Sequence, residues 1–346
     1  MFAVLLGGAL VVGMAGCDHD PESHGQEPYA MPELGTFRVT SSFDLDSDEI
    51  LARRVSHAFQ VLADLRERPG DTLLELGDRS EDPRVESLRD ALPDSLGTEL
   101  AGWVDEEVLG DLAAVAELER MLETGQEMLA RFEMISDLTL GAPDRDGILE
   151  ASHELIAVRM PVAGVVMDEV PVSPAPSADA EGVMRGTHTS GRVGLMEHEF
   201  AISYGEYALA AFEQVLHRRH GADIAGTLGA VIDCTAVASK LAERCTAAGC
   251  TGHEDAFRAI CERGRDEVAS QLRGDIEAMR FDTFRFIHGG VAPRDATTGS
   301  GADDGHPDVL EDGVWQAVID LSGHPDSEPI PQGRELRATF TGHRIP

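Results

Sequence analysis

Four cysteines crowd into the stretch from Leu228 to Cys261: Cys234, Cys245, Cys250 and Cys261. Thiols this close in sequence can pair as disulfides or hold a metal as thiolates. Their spacing is a palindrome of ten, four and ten intervening residues. An eleven-residue step is about three turns of α-helix, so Cys234 and Cys245 share a helix face, and so do Cys250 and Cys261. If the chain turns back at Ala247-Ala248, Cys245 meets Cys250 while Cys234 meets Cys261. A bond between Cys234 and Cys245 would have to span about 16 Å along one helix, against the roughly 4–7 Å a disulfide bridges. The crossed pairing, Cys234–Cys250 with Cys245–Cys261, would slide the helices past each other by about three turns. The nested pairing is therefore expected: a helical hairpin stapled twice, in an oxidising compartment. A four-cysteine zinc site could use the same spacings, but disulfides are the better expectation for an exported chain.

Other patterns that carry chemistry are few. No Gly-x-Ser-x-Gly elbow occurs, which removes the commonest hydrolase signature. His153-Glu154 and His253-Glu254 both lack the second histidine of a zincin helix. There is no phosphate loop and no dinucleotide fingerprint, so no cofactor is expected, and the absence of Cys-x-x-Cys leaves thioredoxin-type redox work unsupported. The acidic loop with Asp303, Asp304 and Asp308 is the best metal candidate, for a hard cation; the plainer reading is a solvated loop. Asp44, Asp46 and Asp48 begin like a calcium loop, but Glu49 stands where the sharp turn needs Gly. Asp46 and Glu49 read better as a helix capping box. Arg218-Arg219-His220-Gly221 reads as a helix C-terminus, with cations on the negative dipole end and Gly at the cap, before it reads as an anion site.

The fifth cysteine, Cys17, follows the apolar run Phe2 to Val12 and the small residues of Met14-Ala15-Gly16. The run is too short to span a bilayer and has the length of a signal-peptide core. With Cys17 at its end it resembles the lipobox of bacterial lipoproteins, with Met14 where Leu is usual. The resemblance implies that residues 1–16 are a signal peptide and that Cys17 is lipidated, which also accounts for the cysteine left over from the two pairs. Residues 17–34 are acidic, Pro-containing and aperiodic, the composition of a flexible tether.

Composition narrows the partners. The formal net charge is −35, and Lys240 is the single lysine among 28 basic residues. Such a field repels nucleic acid and anionic lipid headgroups. It suits a solvated surface, cation binding or a high-salt setting. Hydrophobic residues make up 42% of the chain but aromatics only 5%, so the core must draw mainly on Leu, Val, Ile, Ala and Met.

The elements that would position all this are read from periodicity. Phe37, Val39, Ser41, Phe43 and Leu45 alternate as a strand, and Leu51, Val55, Ala58, Leu62 and Leu65 then fall at helical spacing up to Pro69-Gly70. A helix is expected from Pro83 through Val85, Leu88 and Leu92, and a long acidic one from Asp105 to Arg131. Phe132 to Leu140 returns to period two. Strands continue from Ser152 to Asp168, broken at Pro161, Val172 to Glu181 reads as loop, and Met184 to Ser203 reads as a hairpin turning at Met196-Glu197-His198. Gly205 to His217 is helical. After the cysteine hairpin, Phe281, Phe284 and Phe286 mark a strand, Arg294 to Gly313 a polar loop. Trp315, Ala317, Ile319 and Leu321 alternate, as do Leu336, Ala338 and Phe340. Strands that bracket two helical blocks and must avoid exposed edges predict an α+β chain. Residues 35–346 form one antiparallel β-barrel-like or sandwich domain with helical insertions near 47–130 and 205–275.

Taken together, the lipobox, the tether, the strand after Gly35-Thr36-Phe37, the cysteine-bearing helices and the final Thr339-Phe340-Thr341-Gly342 strand resemble uncharacterised lipoproteins of high-GC Gram-negative bacteria. The resemblance implies export and anchoring in the cell envelope. Three functional classes follow: a non-catalytic lipoprotein binding a protein partner or small ligand, a carrier holding a lipid or other apolar ligand inside the barrel, or a hydrolase with an unrecognised site.

Overall fold

Alternation of buried and exposed side chains marks the strands. In β1 (Gly35–Asp44), Phe37, Val39, Ser41 and Phe43 are buried, and Arg38, Ser42 and Asp44 between and beyond them are exposed. A computed structural model describes residues 33–78, 96–165, 167–186, 191–247, 254–294, 306–320 and 334–346. The remaining strands are β2 (Arg131–Leu140), β3 (Ile148–Arg159), β4 (Val170–Pro171), β5 (Ser177–Arg185), β6 (Arg192–Leu195), β7 (His198–Ile202), β8 (Phe281–Arg294), β9 (Val309–Asp320) and β10 (Arg334–Arg344). Every pairing among them is antiparallel, in the order β2-β1-β10-β9-β8-β6-β5-β3. A further pairing of β2 with β3 closes the ring, so the fold is an eight-stranded barrel rather than a sandwich.

Three local readings are corrected. Met196-Glu197-His198 is a break within one strand and not a hairpin turn. β6 pairs with β8 at Val291–Gly289 and β7 continues along the same strand at Phe286–Phe281. Ser177 to Glu181 belongs to β5 and not to a loop, held by its ladder to β3. The helix cap near Glu49 is Asp48, whose carboxylate accepts the Leu51 N–H, while Asp44 caps the short 3-10 turn Leu45–Ser47.

The helices fall in two blocks. The first holds α1 (Glu49–Ala58), α2 (Gln60–Glu67), α3 (Pro69–Asp78), α4 (Leu96–Gly110) and α5 (Leu112–Ala130). The expected Pro83 helix lies outside the described residues. The long acidic helix is two, because Asp111 caps α5 by accepting the Ala113 and Ala114 N–H groups. The second block holds α6 (Tyr204–His220), α7 (Ile224–Val231), α8 (Cys234–Ala247) and α9 (Glu254–Glu277). Gly221 ends α6 in the left-handed conformation at φ 69°, after His217, Arg218, Arg219 and His220 in the last turn. Among the described residues no single helix is long and apolar enough to cross a membrane.

Both blocks leave and rejoin the barrel at the same end, where Asp44 lies opposite Arg131 and Ile202 opposite Phe281. Phe43 stacks on Phe132 there at 4.9 Å, Tyr204 stacks on Phe281 at 4.6 Å, and the Tyr204 hydroxyl donates to the Leu129 carbonyl at 2.7 Å. Barrel and helices therefore share one continuous apolar core.

The outer staple of the helical hairpin is present: Cys234 is bonded to Cys261, with α-carbons 5.5 Å apart. Cys245 is buried on the same face of α8 and is also disulfide-bonded. Cys250, its expected partner, lies outside the described residues. The Cys234–Cys261 bridge closes a sequence separation of 27, worth about 3–4 kcal/mol in the chain-entropy account. Replacing both cysteines with Ala should lower the Tm in calorimetry accordingly; an unchanged Tm would show that the bridge contributes nothing to the hairpin.

Candidate functional site

An eight-stranded barrel is just wide enough for its own side chains. Here the middle is occupied by Trp315 from β9, Phe286 from β8, Phe200 from β7 and Phe340 from β10, all buried. Trp315 stacks on Phe340 at 4.6 Å and tilts against Phe286 at 4.7 Å. It lies against Gly289, the residue paired opposite it on β8, where any Cβ would collide with the indole.

Three polar side chains sit inside this aromatic cage. Ser136, His153 and His198 occupy inward positions of β2, β3 and β7, at the phase held elsewhere by Met134, Leu138, Leu155 and Ile202. The Ser136 Oγ lies 2.7 Å from His153 Nε2, and His153 Nδ1 lies 2.9 Å from His198 Nε2. His198 Nδ1 is 3.0 Å from the Met196 carbonyl. A carbonyl can only accept, so with both rings neutral every proton in the chain is assigned. His198 Nδ1–H donates to Met196, His153 Nδ1–H donates to His198 Nε2, and the Ser136 hydroxyl donates to His153 Nε2. A second hydroxyl, Ser41, accepts the Trp315 indole N–H at 3.1 Å.

Both rings are held neutral. Burial pushes His153 well below the ordinary imidazole range, and the neighbouring His198 adds to that. Burial also lowers His198, with the Met196 carbonyl pulling the other way. His153 lies nearly flat over Trp315 at 5.5 Å and His198 over Phe286 at 4.8 Å.

A serine donating to a histidine that donates onward is the order of a hydrolytic triad, with a second histidine in the third place. A nucleophile must also meet its substrate. Ser136 is wholly buried and His153 nearly so, and the hollows described on the surface lie elsewhere. The larger is a groove of about 480 Å³ on the outer wall of the barrel, lined by Ser42, Thr339, Val314 and Pro161 with Arg131 and Arg337 beside Asp44. Val314 is 47% exposed, which leaves a large apolar side chain facing solvent on that wall.

The residues expected from sequence to form a site are not members of this chain of hydrogen bonds. Asp303 and Asp304, like Cys17, lie outside the described residues. Asp308 is exposed, its carbonyl accepting the Arg344 N–H and its own N–H reaching the Arg294 carbonyl. Among the described residues, no three His, Cys, Asp or Glu side chains are placed to hold a metal ion. The Ser–His–His chain was not anticipated; its signal is three polar residues standing where strand alternation calls for apolar ones. The chain matches no protein-family model, and no curated protein or solved structure is similar to it.

The neutral rings make stability depend on pH. Folded, the pair binds fewer protons than the unfolded chain, whose imidazoles titrate near about pH 6.5. The contribution is present above that value and is lost as pH falls toward the lowered folded values, at up to about 1.4 kcal/mol per pH unit per ring. Urea unfolding at about pH 7.5 and about pH 5.5 should show wild type losing about 1–3 kcal/mol more than a His153→Gln, His198→Gln double variant. Equal losses in the two proteins would mean the rings are not the source.

Proposed function

We propose that this chain is a non-catalytic lipoprotein of the cell envelope, held to a membrane by acyl chains on Cys17, that binds a partner or small ligand on the outside of its barrel. The observation that carries this reading is the filled interior. Trp315, Phe286, Phe200, His153 and His198 occupy the space a carrier of the lipocalin type keeps for its cargo. Recognition then falls to the wall, and among the described residues the groove beside exposed Val314 offers apolar surface and a concave shape there. The acidic balance argues against nucleic acid as the partner. Anchoring rests on the lipobox-like residues before Cys17, since one acyl chain binds only reversibly and stable attachment takes more than one.

The experiment joins the two halves of the reading. Metabolic labelling with palmitate should mark wild type and not Cys17→Ser, and the variant should leave the membrane fraction. A photo-reactive residue at position 314 should yield a defined adduct in intact cells, while the same residue at exposed Glu199 on another wall should not. Unlabelled wild type, or equal adducts at both positions, would remove the anchor or the groove respectively.

The order of Ser136, His153 and His198 favours a second reading, a serine hydrolase whose site opens under some condition. Burial of Ser136 speaks against it. A fluorophosphonate probe should therefore leave Ser136 unmodified in folded protein, as read by peptide mapping. Stoichiometric labelling at Ser136, lost in His153→Gln, would install the hydrolase instead.

A further inference from the structure

The ring of backbone hydrogen bonds has a gap. β5 pairs with β6 from Gly182 to Arg185, and the Met196 N–H reaches the Glu181 carbonyl at 2.7 Å. Past that point, among the described residues, β5 pairs with β3 and β7 pairs with β8, but β5 and β7 do not pair with each other. A seam therefore runs between Ser177–Ala180 and His198–Ile202. Ala178 and Ala180 are on the inward face of β5, opposite His153 and Ala151, yet both are only half-buried. They leave the inside of the seam thinly covered.

His153 and His198 stand on the strands that flank β5 at this place. Their ring nitrogens, 2.9 Å apart, join β3 to β7 where no backbone bond links β5 to β7. We propose that this hydrogen bond is a pH-sensitive latch, holding the barrel shut across the β5–β7 seam and releasing it when both rings are protonated.

The proton positions explain why two charges are needed. One added proton can be absorbed: the relay reverses, His198 Nε2–H donates to His153 Nδ1, and His153 Nε2–H donates to the Ser136 oxygen. A second proton leaves no lone pair on any ring nitrogen. Two N–H groups and two positive charges then face each other at the latch, and the bond is replaced by repulsion. Among the described residues no acid faces them. The pair is faced by Ser136 from β2, Ala178 from β5, Phe200 from β7, Phe286 from β8 and Trp315 from β9. The acids of the flanking strands, Glu154, Asp179, Glu181 and Glu199, are exposed on the outer face, and Glu197 pairs there with Arg285. Aromatic faces recover only part of a buried imidazolium's lost hydration. The relief lies outward, through the thin inner cover at Ala178 and Ala180. Opening there would present the aromatic interior to solvent only in acid.

Hydrogen exchange on the full chain tests this. Protection of segments 177–181 and 198–202, corrected for intrinsic rates, should fall by about tenfold or more between pH 7.5 and pH 5.5, while β1, β2 and β10 keep theirs. His198→Gln, which retains an amide donor and acceptor but cannot charge, should hold the seam closed at both values. Three outcomes overturn the latch: seam protection that ignores pH, loss that spreads equally through all strands, or an acid response in His198→Gln equal to wild type. Should that variant not fold, the steepness of the wild-type response decides alone. Opening that charges both rings takes up two protons, so log protection of the seam should change by more than one per pH unit at about pH 5.5 to 6, and a slope of one or less refutes the proposal.

Discussion

Closure of the β-ring is the constraint from which the rest of this structure follows. Backbone N–H and C=O groups left on a strand edge would invite pairing with other chains. Here β1 is bonded on one side to β2 and on the other to β10, and β2 turns back onto β3. Eight strands enclose a space of side-chain width. The interior must therefore be assembled from large and small residues that fit together, such as Trp315 over Gly289. A polar group placed there has no water to turn to and must be satisfied within the barrel.

Ser136, His153 and His198 meet that demand by forming a chain that ends on a backbone carbonyl. A fully satisfied polar chain adds direction to an apolar interior, because its members hydrogen-bond properly in one arrangement only. The helical blocks serve the barrel differently. They share its core at one end through Phe43, Phe132, Tyr204 and Phe281, and the second block is tied to itself by Cys234–Cys261.

Much of the fold was legible because the outer wall is polar and the inner wall apolar. β1, β2, β8 and β10 were visible in alternation, and the α+β class with two helical insertions followed from the change of period. β5 was obscured because Ala178 and Ala180, at its inner positions, are too small to mark a buried phase and lie among Pro, Ser and Asp. The break at Met196-Glu197 looks like a turn locally. That β6 and β7 run along one partner is decided by β8, far away in sequence. The Cys234–Cys261 bridge could be derived because helix phase, with a reversal at Ala247-Ala248, sets those two cysteines opposite each other. The Ser–His–His chain could not. Its members are 17 and 45 residues apart, and only ring closure brings three different strands onto one interior point.

The pairing of β1 with β10 has a consequence for how the molecule comes to be. Phe37 lies opposite Arg344 and Ser42 opposite Thr339, so the opening strand of the barrel bonds with its closing one, roughly 300 residues on. Contacts of such long range carry a large loop-closure entropy and make for slow folding. The cysteine hairpin of α8 and α9 is local and can be oxidised before any barrel exists, whereas the packing of α3 on α9 joins the two helical blocks from far apart in the chain. Until β10 is in place, β1 and β9 each keep an unsatisfied edge. A chain built this way passes through a partly folded species with open sheet borders, the kind of species on which chaperones act.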